Sequence, residues 1–330
     1  MDRRTLLGTA AAAGLALAAP RARAARRELV VAEPVHSIGY LPLYVAIANG
    51  WFAEADLEVR VVTIETAAGH TAAVLSGQAF AFIGGPEHCA LAKARGAELR
   101  TVVHCVDRGN VYLCAASGLA PEGRDFAAFV KGRTIATAGL GSTPDSITRW
   151  LLRKWNLDPR RDVTLIETTN SAVLPTVKTG RAHVGVVPEP FVTQGVRQSI
   201  WSEPFFNVPR ELGPYAYSTI NVRLDTIRRD PEAVRGFVRG IMKALKFLYA
   251  DRDGATAIAR RQFPTMPADD LGATLGRSFA DELWSRDGVV ARAAWDTAKA
   301  VVMEAGILTA DIGYDDIVDM SFVEGLRSSI

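Results

Sequence analysis

Short apolar runs alternate with amphipathic stretches through most of the chain, and Gly or Pro closes nearly every run. Residues 29–32 are apolar and stop at Glu33-Pro34, which predicts a buried first strand. Residues 41–49 predict a helix closed by Gly50. Residues 57–64 alternate around Val59, Val61 and Val62 and predict a strand. A helix over 67–76 ends at Gly77, and a fully apolar strand over 80–83 runs into Gly84-Gly85-Pro86. A helix over about 87–95 and a strand over 99–105 follow, then a turn at Asp107-Arg108-Gly109-Asn110 and a strand over 111–115. This alternation is that of a largely parallel sheet with helices on its faces.

The rhythm then repeats. Strands are predicted over 134–138, 163–166 and 183–187. Between them lie helices over 144–155, with Pro144 at the first position, and over 172–178, closed by Gly180. After a strand over 217–222 the pattern turns helical. Residues 231–250 set Val234, Phe237, Val238, Ile241, Leu245 and Leu248 on one face, and further helices are expected over 267–279 and 289–305. Residues 71–87 and 172–189 share one order: helix, Gly, apolar strand, then Pro-Glu. Two lobes that each present a strand-end loop would form a cleft with those loops on both walls, where ligands of α/β sheets bind.

The N-terminus reads as an address. Arg3-Arg4, an apolar stretch to Ala19 and the triplet Ala22-Arg23-Ala24 follow the order of an export signal, so residues 1–24 are expected to be removed. The arginine pair resembles a twin-arginine signal, with general secretory export as the alternative. The whole chain carries 38 Lys+Arg against 36 Asp+Glu, a formal net charge of +2. Residues 1–24 hold Arg3, Arg4, Arg21 and Arg23 against Asp2, so their removal brings the net charge to −1. With 48% apolar residues and no Lys/Arg run, the chain is neither disordered nor built for nucleic acid.

Several motifs resemble one family. Gly39-Tyr40-Leu41-Pro42-Leu43-Tyr44-Val45-Ala46, followed by Gly50-Trp51-Phe52 and Leu57-Glu58-Val59, is similar to its opening segment. Leu75-Ser76-Gly77-Gln78 resembles its "L-x-S-G-Q-x-D" segment, with Phe80 in place of the Asp. The stretch 125–133 resembles its "dLKGKxia" segment, and 150–163 its "L-x-x-x-G-L-x-P-x-D-V", with Asn156 where Gly is common. Gly180-Arg181-Ala182-His183 with Pro188-Glu189-Pro190 resembles "G-x-v-D-A…x-E-P". The chain is thereby similar, over about 28–250, to the type II periplasmic binding proteins of ABC importers. The branch is that of the alkanesulfonate, taurine, nitrate and thiamine-pyrimidine-precursor binders.

The resemblance implies an α/β fold of two lobes, each a largely parallel sheet flanked by helices, with a helical C-terminal region. The lobes would comprise 25–114 with 217–330, and 115–216. It further implies a small-molecule ligand captured between them, an ABC permease in the inner membrane as partner, a periplasmic location, no cofactor and a monomeric state. The ligand class stays open among sulfonates, nitrate-like anions, pyrimidine precursors and aromatic acids. Two other readings are carried: an enzyme of thiamine-pyrimidine or related metabolism on the same fold, and a ligand-sensing partner of a membrane receptor.

Candidate ligand contacts follow from strand ends and helix starts. Ser142 and Thr143 open a helix, whose unpaired N–H groups suit polar oxygens; a plain structural cap is the alternative. Gly84 and Gly85 allow close backbone approach, or simply a tight turn. Ser37 and Tyr40 follow the first strand. His70 starts a helix as a lone histidine. Tyr215 and Tyr217 lie at the second crossover, where a ring could stack on a planar ligand. Glu87 and Glu189 would oppose an anion if both face the cleft and favour a ligand with N–H donors; otherwise they serve helix N-termini. His36, His70, His88, His104 and His183 show no metal-ligand spacing, and no catalytic motif is present. Cys105 and Cys114 would flank a hairpin whose register does not favour a disulfide.

Overall fold

The computed structural model describes residues 26–66 and 68–330, so the export-signal expectation lies outside the described residues. The first sheet holds β1 (Arg27–Glu33), β2 (Leu57–Thr63), β3 (Ala81–Gly84), β4 (Leu99–Arg108) and the late strand β10 (Pro214–Arg223). The second holds β5 (Tyr112–Ala115), β6 (Thr134–Ala138), β7 (Thr164–Thr168), β8 (Val184–Val187) and β9 (Phe206–Asn207). The strand orders are β2-β1-β3-β10-β4 and β7-β6-β8-β5-β9.

The two sheets are built alike. β1 pairs in parallel with β2 and β3, and β6 pairs in parallel with β7 and β8. The antiparallel strand in each sheet is the one that arrives from the other lobe. β10 runs against β3 and β4, and β5 runs against β8 and β9. The repeated sequence pattern falls on equivalent third strands, β3 and β8, each preceded by a helix (Gly69–Leu75 and Asn170–Lys178). Both strands are buried along their whole length, as expected where helices cover both faces of a sheet.

One boundary differs from the sequence expectation. Asp107 and Arg108 do not turn; β4 continues through them because Arg108 pairs with Pro214 at the start of β10. The strand after Asn110 then joins the second sheet, with Tyr112 opposite Val187. The chain therefore leaves the first sheet at 109–111, ahead of the expected 114/115 boundary. An apolar run specifies a buried strand but not which sheet accepts it. No hairpin joins Cys105 to Cys114, since their strands lie in different sheets, and Cys89, Cys105 and Cys114 are free and buried.

The C-terminal helices cover the first sheet. Helix Pro231–Ala250 buries the predicted face, and Phe237 stacks on Phe52 with ring centroids 4.6 Å apart. Helix Arg252–Gln262 was not anticipated; Gly254 and its few apolar positions obscure it. Helices Ala268–Ala280 and Arg292–Glu304 complete the wall, with Trp284 and Trp295 buried between elements. Among the described residues no helix is long and apolar enough to cross a membrane.

Candidate ligand-binding cleft

The carboxyl ends of β1, β3, β6, β7 and β8 converge on one cavity of about 50 Å³ between the sheets. The first lobe supplies Ser37, Tyr40, His70, Gly84, Gly85 and His88. The second supplies Gly139, Ser142, Thr143, Thr168 and Asn170. The two crossings add Asn110, Tyr217 and Ser218.

Each wall is fixed locally. Ser37 caps the short helix Ile38–Tyr40, accepting from the Gly39 N–H at 3.2 Å. Its hydroxyl also donates to the Glu189 carbonyl at 2.8 Å, and the Glu189 N–H donates to the Asn110 carboxamide at 3.3 Å. The lobes are thus joined at the back of the cavity. Tyr40 is buried, and burial pushes its hydroxyl pKa up, reinforced by the charge of Glu33. Ser142 caps helix Thr143–Lys154 by accepting from the Asp145 N–H at 3.4 Å. The helix thus begins at Thr143, one residue before the predicted Pro144. Asp145 sits at the same helix start, where its carboxylate accepts from the Gly141 N–H at 3.0 Å and from Arg149 at 2.9 Å.

His70 faces the cavity beside Gly84, with its ring edge-on to His88 at 4.7 Å. Burial lowers its pKa well below the ordinary histidine value; the neighbouring His88 adds to this, against an opposing pull from the Thr66 backbone. His88 is lowered to about 4 by burial alone. Both rings are neutral at pH 7. Both ring nitrogens of His70 are enclosed.

Three sequence candidates do not line the cavity. Glu87 sits fully buried behind Gly85, with its Oε1 accepting from the Thr143 hydroxyl at 2.5 Å. Burial raises its pKa to about 7, against the lowering effect of that bond. Glu189 points into protein, where it accepts from the Thr193 N–H and hydroxyl and from Arg277 at 2.8 Å. Tyr215 is enclosed completely, while Tyr217 reaches the cavity two residues on. Sequence reasoning missed His88, Asn110 and Ser218 as lining residues; only the packing of the helix Glu87–Lys93 and of the crossings shows them. Among the described residues no cluster of His, Cys, Asp or Glu could hold a metal ion.

Solved structures share this architecture. The alkanesulfonate-binding protein SsuA from Xanthomonas axonopodis pv. citri, bound to MOPS, superposes with a TM-score of 0.74 at 16% identity, covering 91% of this chain and 100% of that one. The fold is that of the two-lobed periplasmic binding proteins. The chain belongs to the NMT1/THI5-like family, whose model matches residues 37–255. It is 24% identical over 322 residues to YtlA of Bacillus subtilis (strain 168), covering 95% of this chain and 94% of that protein. It is 26% identical over 335 residues to the riboflavin-binding protein RibY of Chloroflexus aurantiacus, covering 96% of this chain and 92% of that protein.

Proposed function

We propose that this protein is the solute-binding component of an ABC importer. It captures a small organic molecule between its lobes and delivers it to a membrane permease. The observation that carries the reading is a cavity at the strand ends whose two walls come from different lobes and are tied by Ser37–Glu189 and Thr143–Glu87 hydrogen bonds. Such ties form only when the lobes meet, which is what closure over a solute requires. The binding names of RibY and SsuA support the same role. Residues 1–24, read as an export signal with a twin-arginine pair, support a periplasmic location, and a monomer suffices to form the site.

Native mass spectrometry of the protein as purified, followed by a thermal-shift panel of small organic molecules, tests this. The expected result is one ligand that stabilises saturably and is recovered unchanged. Consumption of that molecule by the purified protein would place it instead among enzymes of this fold.

A further inference from the structure

Among the described residues the exposed large apolar side chains are Leu75 and Leu140, which leave 38% and 55% of their surface in water. A single exposed leucine is ordinary. These two face the same groove, although Leu75 ends a helix of the first lobe and Leu140 follows β6 of the second. Leu91 and Ile307 extend the apolar lining, and the groove has a volume of about 520 Å³, ample for a small molecule. It is separate from the interlobe cavity of about 50 Å³; His88 is the one described residue that lines both.

The walls are held together. At the end of helix Arg292–Glu304, beside Gly306, the Glu304 carboxylate accepts from Trp150 Nε1 at 3.1 Å and pairs with Lys154 at 2.9 Å. Arg153 donates to the Glu304 carbonyl. At the other rim the Gly141 N–H donates to Asp145, which is itself paired with Arg149. The charge along the groove has one sign. Arg95 is the one charged side chain lining it, and it is exposed and makes no ion pair among the described residues. Lys93, two residues earlier, is paired with Glu98 and Asp316. With no carboxylate among the described lining residues, the attraction of Arg95 for an anion is not cancelled there, and a guanidinium can hold a carboxylate through two hydrogen bonds.

We infer that this groove is a second binding site, outside the interlobe cavity, and that it takes an amphiphilic carboxylic acid. The apolar body lies between Leu75, Leu91, Leu140 and Ile307, and the carboxylate meets Arg95. Burial of the body supplies the affinity, and the single cation selects the head group. The inference does not depend on what the interlobe cavity holds, so the two are tested apart.

The test titrates the purified full chain with decanoate, decanol and decylamine, three probes that share a body and differ in head group, by calorimetry below their micelle concentrations. Decanoate is expected to bind saturably and more tightly than the other two. Arg95→Glu should weaken decanoate by about fivefold and favour decylamine. Leu140→Asp should weaken decanoate by about tenfold. Both side chains are exposed, so both variants should melt like the parent. A diazirine-bearing decanoate should label the peptides that hold Leu75, Leu91 or Leu140. Equal affinity for the three probes, unchanged decanoate affinity in either variant, labelling confined to other peptides, or no saturable binding overturns the inference. Any of these leaves the solute-binding reading standing on its own ligand panel.

Discussion

Thr143, at the start of a second-lobe helix, donates its hydroxyl hydrogen to Oε1 of Glu87, at the start of a first-lobe helix, across 2.5 Å. Oε2 of the same carboxyl is buried and has no partner. The bond therefore couples the approach of the lobes to the protonation of one enclosed acid.

The pH dependence follows from the sign of that shift. Burial raises the Glu87 pKa from 4.5 to about 7, so the folded chain holds a proton that the unfolded chain releases. Stability from this group is fully present below about pH 4.5, falls as the pH rises and is lost above about pH 7, by roughly 3 kcal/mol in total. Glu87→Gln removes the titration. The melting temperature of the variant should rise relative to the parent as pH goes from 5 to 8. Curves that stay parallel across this window would refute the assignment.

Ser142 lines the cavity while its backbone sits at a helix cap. Ser142→Trp is expected to fill the entrance and abolish ligand binding. The lost cap hydrogen bond should cost about 1 kcal/mol of stability, readable by urea titration. A folded Trp variant with the affinity of the parent would show that ligand sits elsewhere.

Arg277 reaches from the C-terminal helices to the buried carboxylate of Glu189 and also to Glu203, at 2.8 and 2.7 Å. Arg277→Met leaves an enclosed acid short of its cation, and a loss of about 3 kcal/mol is expected in urea unfolding. Pairing it with Glu189→Gln should return part of that loss, because the uncompensated charge is then gone. A double variant as unstable as the sum of the singles would show that the two groups do not act on each other.

Two helical glycines should respond to alanine with opposite sign. A methyl group on Gly195 would overlap the buried indole of Trp201, whose Nε1 donates to the Val192 carbonyl at 2.9 Å. Gly195→Ala should therefore destabilise by about 1–3 kcal/mol. Gly272, in helix Ala268–Ala280, has open space where the methyl would go. Gly272→Ala should stabilise by about 0.5–1 kcal/mol through helix propensity and a less flexible unfolded chain. Circular-dichroism melts of both variants check the pair.

Much of the architecture is legible from periodicity, and the reasons for the exceptions are particular. Residues 134–138 and 231–250 read from the sequence with the bounds found in the structure, because Gly, Pro and a consistent apolar face delimit them. Asp107-Arg108-Gly109-Asn110 reads as a turn from local chemistry, yet long-range pairing with β10 holds Asp107 and Arg108 extended. The site is half legible. Seven of the ten sequence candidates meet at the cavity: Ser37, Tyr40, His70, Gly84, Gly85, Ser142 and Thr143. Tyr215 is enclosed while Tyr217 reaches the cavity, a difference along β10 that no local pattern encodes. Glu87 and Glu189 share a sequence context but end in different company, one against a threonine hydroxyl and the other against an arginine.

The absence of lysine and arginine from the described walls of the cavity also bears on kinetics. A binding site lined with cations draws its ligand from a distance, and its association rate falls as salt screens that field. With no such residues on its described walls, this cleft offers an anion no cationic pull, so the association rate of a solute bound there, as proposed, is expected to change little between dilute and salty solution.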